Sequence, residues 1–155
     1  MLKPKRFVST QEAIEILCQC NTGVLSMIGE DGKPYGVPIN YICDLSENAI
    51  YFHCAKTGKK YEALHHHPNV SFVAVKEAQI IPERFITHYE SVLIEGTASF
   101  LEEEQEMRQL LTKLCDQLAP GELEKRPEVI DIYIEAVSIC KVEISTISGK
   151  RNLDY

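Results

Sequence analysis

The stretch from residue 50 to residue 75, IYFHCAKTGKKYEALHHHPNVSFVAV, constrains the fold more than any other part of the chain. It begins and ends with β-branched and aromatic residues, as is typical of strands. Between them, residues 58–64 favour one or two turns of helix, and Pro68 ends this helix because proline cannot continue it. Two strands are therefore predicted to flank a short helix that starts at Gly58.

The first turn of this predicted helix carries two positive charges, on Lys59 and Lys60. Free backbone N–H groups and ammonium groups together are suited to binding a phosphate. We predict Lys60 to be a phosphate ligand, because an ammonium forms charge-assisted hydrogen bonds with a dianion, and Lys59 to be its helper. The alternative is that both lysines lie on the solvated face of an exposed helix.

Composition predicts one globular domain that spans residues 1–155. A hydrophobic fraction of 45% and a charged fraction of 25% exclude disordered and collagen-like chains. The formal net charge of −7 argues against nucleic-acid binding, because proteins that neutralise many phosphates carry a basic excess.

The N-terminal sequence does not resemble an export signal, and no stretch reaches the ~20 apolar residues of a membrane span. We expect a cytoplasmic protein without a membrane partner. The six cysteines include no CxxC pair, so reduced and mostly buried thiols are expected. We interpret Cys18 and Cys20 as small apolar residues, with a metal or redox role for the pair as the alternative.

Turn signals divide the remaining chain into short strands and helices. A capping box at Ser9 and Glu12 predicts a helix over residues 10–18. Leucines three and four residues apart predict a helix over residues 101–118, with acidic residues 102–104 in its first turn, and a shorter one follows over residues 126–136. Strands are predicted over residues 23–28, 35–44, 50–53, 70–75, 88–96 and 137–147.

Pro38 lies inside one of these predicted strands, 35–44. Proline has no N–H group, so this position is expected at a sheet edge, a bulge or a barrel seam, where backbone groups remain for a ligand. Turn signals every 8 to 12 residues indicate a mainly β, antiparallel barrel of about six strands with peripheral helices.

Several runs of the sequence, taken in order, resemble the signatures of a known family. They are GVLS, YGVPINY, IYFHCA, GKK, PNVSF, YESV and ISGK, and pieces of nearly the whole chain, from about residue 13 to residue 151, take part in the resemblance. The chain resembles the pyridoxamine 5'-phosphate oxidase-like FMN-binding split barrels, and most closely the branch related to nitroimidazole-resistance (Nim) flavoproteins. The resemblance implies a six-stranded antiparallel split β-barrel of the FMN-binding type. It also implies a homodimer that holds FMN noncovalently between its two subunits.

The resemblance also assigns roles to individual residues. The cofactor-binding residues that it implies are Val37, Pro38, Ile39, Asn40, Tyr41, His53, Cys54, Ala55, Lys59, Lys60 and Ser91. Ser91 stands where the oxidases have a glutamine that bonds the cofactor. His53 is implied as the catalytic residue, a hydrogen-bond partner and proton donor beside the flavin ring. The alternatives are a buried core histidine at 53 and an asparagine at 40 that satisfies a local turn.

The chain departs from the oxidases of this family at several points. Residues 76–87 resemble an insertion relative to them, and the Trp-free chain has no match to their C-terminal arginine- and tryptophan-bearing segment. We therefore expect reduction of a small electrophile, such as a nitroaromatic compound, in place of pyridoxamine phosphate oxidation. The absence of a GxGxxG turn favours FMN over FAD or a nicotinamide.

Two other classes of protein are compatible with the same sequence. A non-enzymatic flavin or haem carrier would use the same barrel, with His53 or one of His65, His66 and His67 as the axial haem ligand. These three consecutive histidines are not expected to bind a metal ion together, because successive helical residues point about 100° apart. A cofactor-free structural dimer is the other class, and it leaves the spacing of the two lysines unexplained.

Overall fold

The computed structural model describes residues 4–153, a mainly β chain with four α-helices. In chain order the elements are α1 (Thr10–Gln19), β1 (Thr22–Ile28), β2 (Pro34–Asn40), β3 (Ile42–Asp44), β4 (Ala49–Ala55), α2 (Lys59–His66), β5 (Asn69–Ile81), β6 (Ile86–Phe100), α3 (Glu104–Leu118), α4 (Arg126–Tyr133) and β7 (Val137–Asn152). Short 3₁₀ turns lie at Pro4–Arg6 and Pro82–Arg84. Over residues 4–153, none of the helices combines the length and the apolar character that crossing a bilayer requires.

All seven strands form one antiparallel sheet in the order β2-β1-β5-β6-β7-β4-β3. β2 and β3 are the two edges of this sheet, yet in the chain they are separated by Tyr41 alone. Because one residue spans at most ~3.6 Å, the sheet must curl until its edges meet at Tyr41. We call this meeting point the split.

The predicted fold class, a mainly β antiparallel split barrel, is confirmed. The strand count is seven, because residues 35–44, predicted as one strand, form β2 and β3. The Tyr41 ring turns into the core between them, where it is fully buried and its hydroxyl group donates a hydrogen bond to the Leu17 carbonyl. The predicted insertion at residues 76–87 is the end of a long hairpin, which extends β5 to Ile81 and starts β6 at Ile86.

The helix boundaries differ from the prediction by one to three residues, and β7 extends five residues beyond its predicted end. α3 begins at Glu104 and not at Leu101, because the backbone N–H of Leu101 still donates to the Ile139 carbonyl at 3.0 Å. α1 ends one residue later than predicted and α4 ends at Tyr133, before the predicted end at residue 136. The predicted capping box is confirmed, with reciprocal hydrogen bonds between Ser9 and Glu12.

Two apolar clusters stabilise the chain. The main core fills the inner face of the curled sheet, where Leu25, Phe52 and Phe72 are fully buried and α1 adds Leu17. A smaller cluster lies on the outer face, where α3 and α4 cover β3, β4 and the first part of β7. Burying each such side chain contributes about 1.5 to 3 kcal/mol, so both clusters hold the strands that carry the site.

The rest of the outer face, on β1, β2, β5 and β6, is open to solvent. Here the strand registers align Pro38, Val24, Val73 and Leu93 in one line across four strands, which we call the outer row. Val24 is 44% exposed and Leu93 is 41% exposed. An exposed apolar line across a sheet is typical of a surface that binds another protein.

Candidate functional site

Two of the predicted site residues lie at the split and a third, Lys60, lies near one of them, although they come from separate parts of the chain. Ile42 and Tyr51 form the last pair of the β3–β4 ladder. Asn40, the last residue of β2, lies two residues before Ile42, and His53 lies two residues after Tyr51. Both residues therefore lie at the end of this ladder. The ammonium group of Lys60, in the first turn of α2, is close enough to His53 to change its pKa.

His53 projects from the outer face of β4. The strand alternates, so that Phe52 and Cys54 face the main core whereas Tyr51 and His53 face outwards, towards α3 and α4. The imidazole is exposed to solvent at the edge of the region that these helices cover. Partial desolvation and the charge of Lys60 lower the pKa of His53 below its ordinary value of 6.5. At neutral pH it is therefore a neutral imidazole that both donates and accepts a hydrogen bond.

The N-terminus of α2 has the features that an anion requires. Its N-cap is Gly58, with a φ of 102°, a left-handed conformation that glycine adopts without strain. Gly58 has no side chain to hydrogen-bond the first-turn N–H groups, and a Cβ placed there would meet only open space. These N–H groups and the positive end of the helix dipole can therefore face a ligand.

The two predicted phosphate ligands lie on different sides of α2. The Lys60 Nζ atom lies 5.8 Å from the centre of the Phe52 ring, on the side of β4. The Lys59 Nζ atom lies 4.4 Å from the centre of the Tyr35 ring, and Lys59 lines a surface cleft with the acidic residues Glu30, Asp31 and Glu62. The structure thus places Lys60 beside β4, whereas Lys59 lies among carboxylates that would repel a phosphate.

The residues predicted on β2 divide between the core and the surface. The side chains of Ile39 and Tyr41 are buried in the main core, and Val37 packs against it. Burial is the main reason that the pKa of Tyr41 is raised, and its phenol is already bonded to Leu17. Pro38 and Asn40 face solvent, and the Asn40 side-chain oxygen accepts a hydrogen bond from the Thr22 hydroxyl group at 2.9 Å. On β2, a ligand would therefore meet the side chains of Pro38 and Asn40.

The other predicted contacts lie on β4 and β6. Cys54 is buried, and this burial raises the pKa of its thiol, whereas Ala55 is exposed at the end of β4. Ser91 is half-buried on β6 and pairs with Val75. In the strand registers, Ser91 on β6 lies level with Asn40 on β2, with β5 and β1 between them. The two residues are therefore three strand spacings apart, about 14 Å.

The three consecutive histidines point in different directions. His65 stacks on Phe100 with ring centres 4.5 Å apart, and its Nδ1 atom lies 2.9 Å from the Tyr61 carbonyl oxygen. The His66 Nε2 atom lies 3.6 Å from a Glu30 carboxylate oxygen. Within residues 4–153, no three His, Cys, Asp or Glu side chains are arranged to hold a metal ion.

Sequence reasoning missed two groupings. An apolar pocket of about 240 Å³ opens beside His53 between α3 and α4. The leucine spacing predicted the apolar face of α3, but no local signal showed that His53 would lie beside it. Cys43 lies near Cys18. Burial is the main cause that raises the pKa of Cys43, and the neighbouring Cys18 thiol is the next. All six cysteines are free thiols.

The family described as pyridoxamine 5'-phosphate oxidase matches residues 9–151 of the sequence. The chain therefore belongs to this family. Among curated proteins, none matches the sequence.

Solved structures of similar fold come from several bacteria. A candidate 5-nitroimidazole antibiotic resistance protein from Bacteroides thetaiotaomicron is 21% identical, with a TM-score of 0.77 over 93% of this chain and 85% of that one. The flavocytochrome Anf3 from Azotobacter vinelandii is 20% identical, with a TM-score of 0.80 over 99% and 73% of the two chains. An FAD-binding protein from Mesorhizobium loti is 23% identical, with a TM-score of 0.67 over 95% and 97%. At these identities the similarity establishes the fold.

Proposed function

We propose that this chain is a flavoprotein that binds FMN noncovalently at the split. The observation that carries the proposal is the position of Lys60 in the first turn of a helix whose N-cap has no side-chain hydrogen bond, near enough to His53 for its charge to lower the pKa of that residue. Lys60 and the first-turn N–H groups would hold the phosphate. Pro38 and Asn40 would lie along the flavin ring, on the exposed side of β2.

The second part of the proposal is an oxidoreductase that reduces a small electrophile, such as a nitroaromatic compound. The description of the Bacteroides thetaiotaomicron neighbour as a nitroimidazole resistance protein supports this choice. A bound flavin supplies the electron transfer itself. His53 is the proposed catalytic residue, a hydrogen-bond partner and proton donor to the substrate, and its lowered pKa favours a neutral imidazole whose ring N–H group orients the substrate by a hydrogen bond.

A homodimer with FMN at the subunit interface completes the proposal. Proteins of this family are typically dimeric. The outer row, Pro38, Val24, Val73 and Leu93, gives a second copy an apolar surface to cover. Ser91 lies on the same face, about 14 Å from Asn40, so we assign its contact to the FMN held at the split of the second copy. We further propose a single-domain protein of the cytoplasm.

A haem-binding protein is the second candidate function. It is favoured by the flavocytochrome among the similar structures and by the exposed, neutral imidazole of His53, which suits an axial ligand. FAD in place of FMN is a further alternative, since the Mesorhizobium loti neighbour is an FAD-binding protein. If Lys60 binds the phosphate of FMN, it must contribute to the affinity of the protein for FMN, and this can be tested.

The test is a titration of FMN into the wild type, Lys60→Ala and Lys59→Ala, followed by quenching of flavin fluorescence. Loss of one charge-assisted hydrogen bond costs about 1.5 to 3 kcal/mol, so Lys60→Ala should weaken FMN binding about ten- to a hundredfold. Lys59→Ala is the matched control and should change it little, because Lys59 lies beside carboxylates. Equal affinity of Lys60→Ala and the wild type would contradict the phosphate assignment.

A further inference from the structure

The pocket beside His53 lies between α3, α4 and the outer face of the sheet. Its walls are almost entirely carbon, and its polar groups are the His53 imidazole at one side, the Cys115 thiol and the Tyr133 hydroxyl group. The lining residues are His53, Leu111, Leu114, Cys115, Leu118, Ala119, Val129, Ile130, Tyr133 and Val137. Such a site binds molecules that are mostly apolar and carry few polar groups.

The size of the pocket limits what it can hold. Its volume is about 240 Å³. An engineered apolar cavity of about 150 Å³ binds benzene, whereas sites for drug-sized ligands begin at about 300 Å³. The pocket therefore fits one aromatic ring with substituents, or two fused rings. It is too small for the three-ring system of a flavin or for haem.

The position of His53 determines which part of the ligand is polar. His53 lies where the pocket meets the split, on the side of Lys60. Buried carbon side chains form much of its wall, since Leu114 is 3% exposed and Ile130 is 7% exposed. A charged group buried against these side chains would lose its hydration without a partner. A ligand must therefore be uncharged there, and its polar atom must meet one of the few polar groups of the lining, of which the His53 imidazole can both donate and accept a hydrogen bond.

We propose that this pocket binds a small uncharged aromatic compound of one or two rings, with one hydrogen-bonding atom that meets the His53 imidazole. This binding depends on the pocket alone and does not require the proposed function.

Indole is a suitable probe because it has two fused rings and one N–H group. The chain contains no tryptophan, so indole fluorescence can be excited apart from the seven tyrosines. Transfer into an apolar pocket should shift its emission to shorter wavelength. We expect saturable binding to the wild type at submillimolar indole. Wild-type protein that gives no saturable shift would overturn the proposal.

Two substitutions on α4 locate the binding. Val129 lines the pocket and is 39% exposed, so Val129→Phe should fill the space with little effect on folding. Ile132, on the same helix but outside the lining, is 63% exposed, which makes Ile132→Phe the matched control. Val129→Phe should weaken indole binding at least about tenfold, and Ile132→Phe should leave it unchanged. Equal affinity of the two variants would place the indole elsewhere and overturn the proposal.

His53→Ala tests the polar contact, and it should weaken indole binding several-fold while the emission shift at saturation persists. If Val129→Phe proves unfolded by circular dichroism, Ala119→Leu fills the same pocket from the residue that follows α3. Each titration is run with and without FMN. Indole binding without FMN binding would refute the proposed function alone, and FMN binding without indole binding would refute this inference alone.

Discussion

The charge of Lys60, on α2, acts on the imidazole of His53, on β4. Burial is the larger cause that lowers the pKa of His53, and the charge of Lys60 is the smaller one. Nothing in the local sequence could predict this pair, since seven positions separate the two residues. Family spacing predicted that both residues belong to one site, and in the structure the charge of Lys60 reaches His53.

Lys60→Ala should raise the pKa of His53, because removing a nearby positive charge makes the imidazolium form less unfavourable. The value should remain below 6.5, since burial, the first cause, is unchanged. Lys59→Ala should leave it unaffected, because Lys59 contacts Tyr35. NMR titration of the imidazole C–H signals measures this, with His53→Gln used to assign the resonance. A pKa of His53 that falls, or that responds equally to both substitutions, would contradict the geometry.

At the scale of elements, features encoded within a few residues were predicted correctly. Features that depend on contacts between distant residues were not. The capping box of α1 is local, and both of its hydrogen bonds are present. The break at Tyr41 depends on a hydrogen bond to Leu17 on α1, and the late start of α3 depends on Ile139, 38 positions beyond Leu101. Lys59 and Lys60 diverge because neighbouring helical residues point about 100° apart.

Gly96 marks a place where two strands approach closely. The register of β6 and β7 shifts between Glu95 and Gly96, and a Cβ on Gly96 would lie 2.3 Å from the Glu143 carbonyl oxygen. This oxygen belongs to the backbone of β7 and cannot move aside as a side chain would. Gly96→Ala should therefore lower the free energy of unfolding by about 1 to 3 kcal/mol.

Denaturant unfolding of Gly96→Ala and a matched variant measures this cost. Gly36→Ala on β2 is the control, because its nearest neighbour would be a Val24 side-chain carbon at 3.6 Å, an ordinary contact. The control should remain within about 1 kcal/mol of the wild type. If both variants lost the same free energy of unfolding, the cost would come from adding a methyl group to any strand. It would then not come from the close approach of β6 and β7 at Gly96.

At the scale of the whole molecule, the outer face separates into two parts. α3 and α4 cover the part formed by β3, β4 and the start of β7, and the outer row lies on the part that is open to solvent. The proposed dimer would bury this row. The fold was predictable because alternation and turn spacing recur along the whole chain, whereas the pocket beside His53 requires side chains from four separate elements.

Leu93→Lys places a charge in the outer row and should shift the proposed dimer to a monomer. Leu93 is 41% exposed in the single chain, so the fold should tolerate the change. Leu45→Lys is the control, since Leu45 is 62% exposed outside the row. Size-exclusion chromatography with light scattering measures the mass of each. A monomeric wild type, or a Leu93→Lys variant that remains dimeric, would contradict the proposed interface.

Whether this chain carries a flavin at the split is tested directly by the visible absorption spectrum of the purified protein, reconstituted with FMN and freed of excess. We expect the two absorption bands of an oxidised flavin and, after denaturation, a released chromophore with the mass of FMN. A Soret band would show haem in its place, and released FAD would contradict the choice of FMN. A protein that retains no chromophore after reconstitution would contradict flavin binding itself.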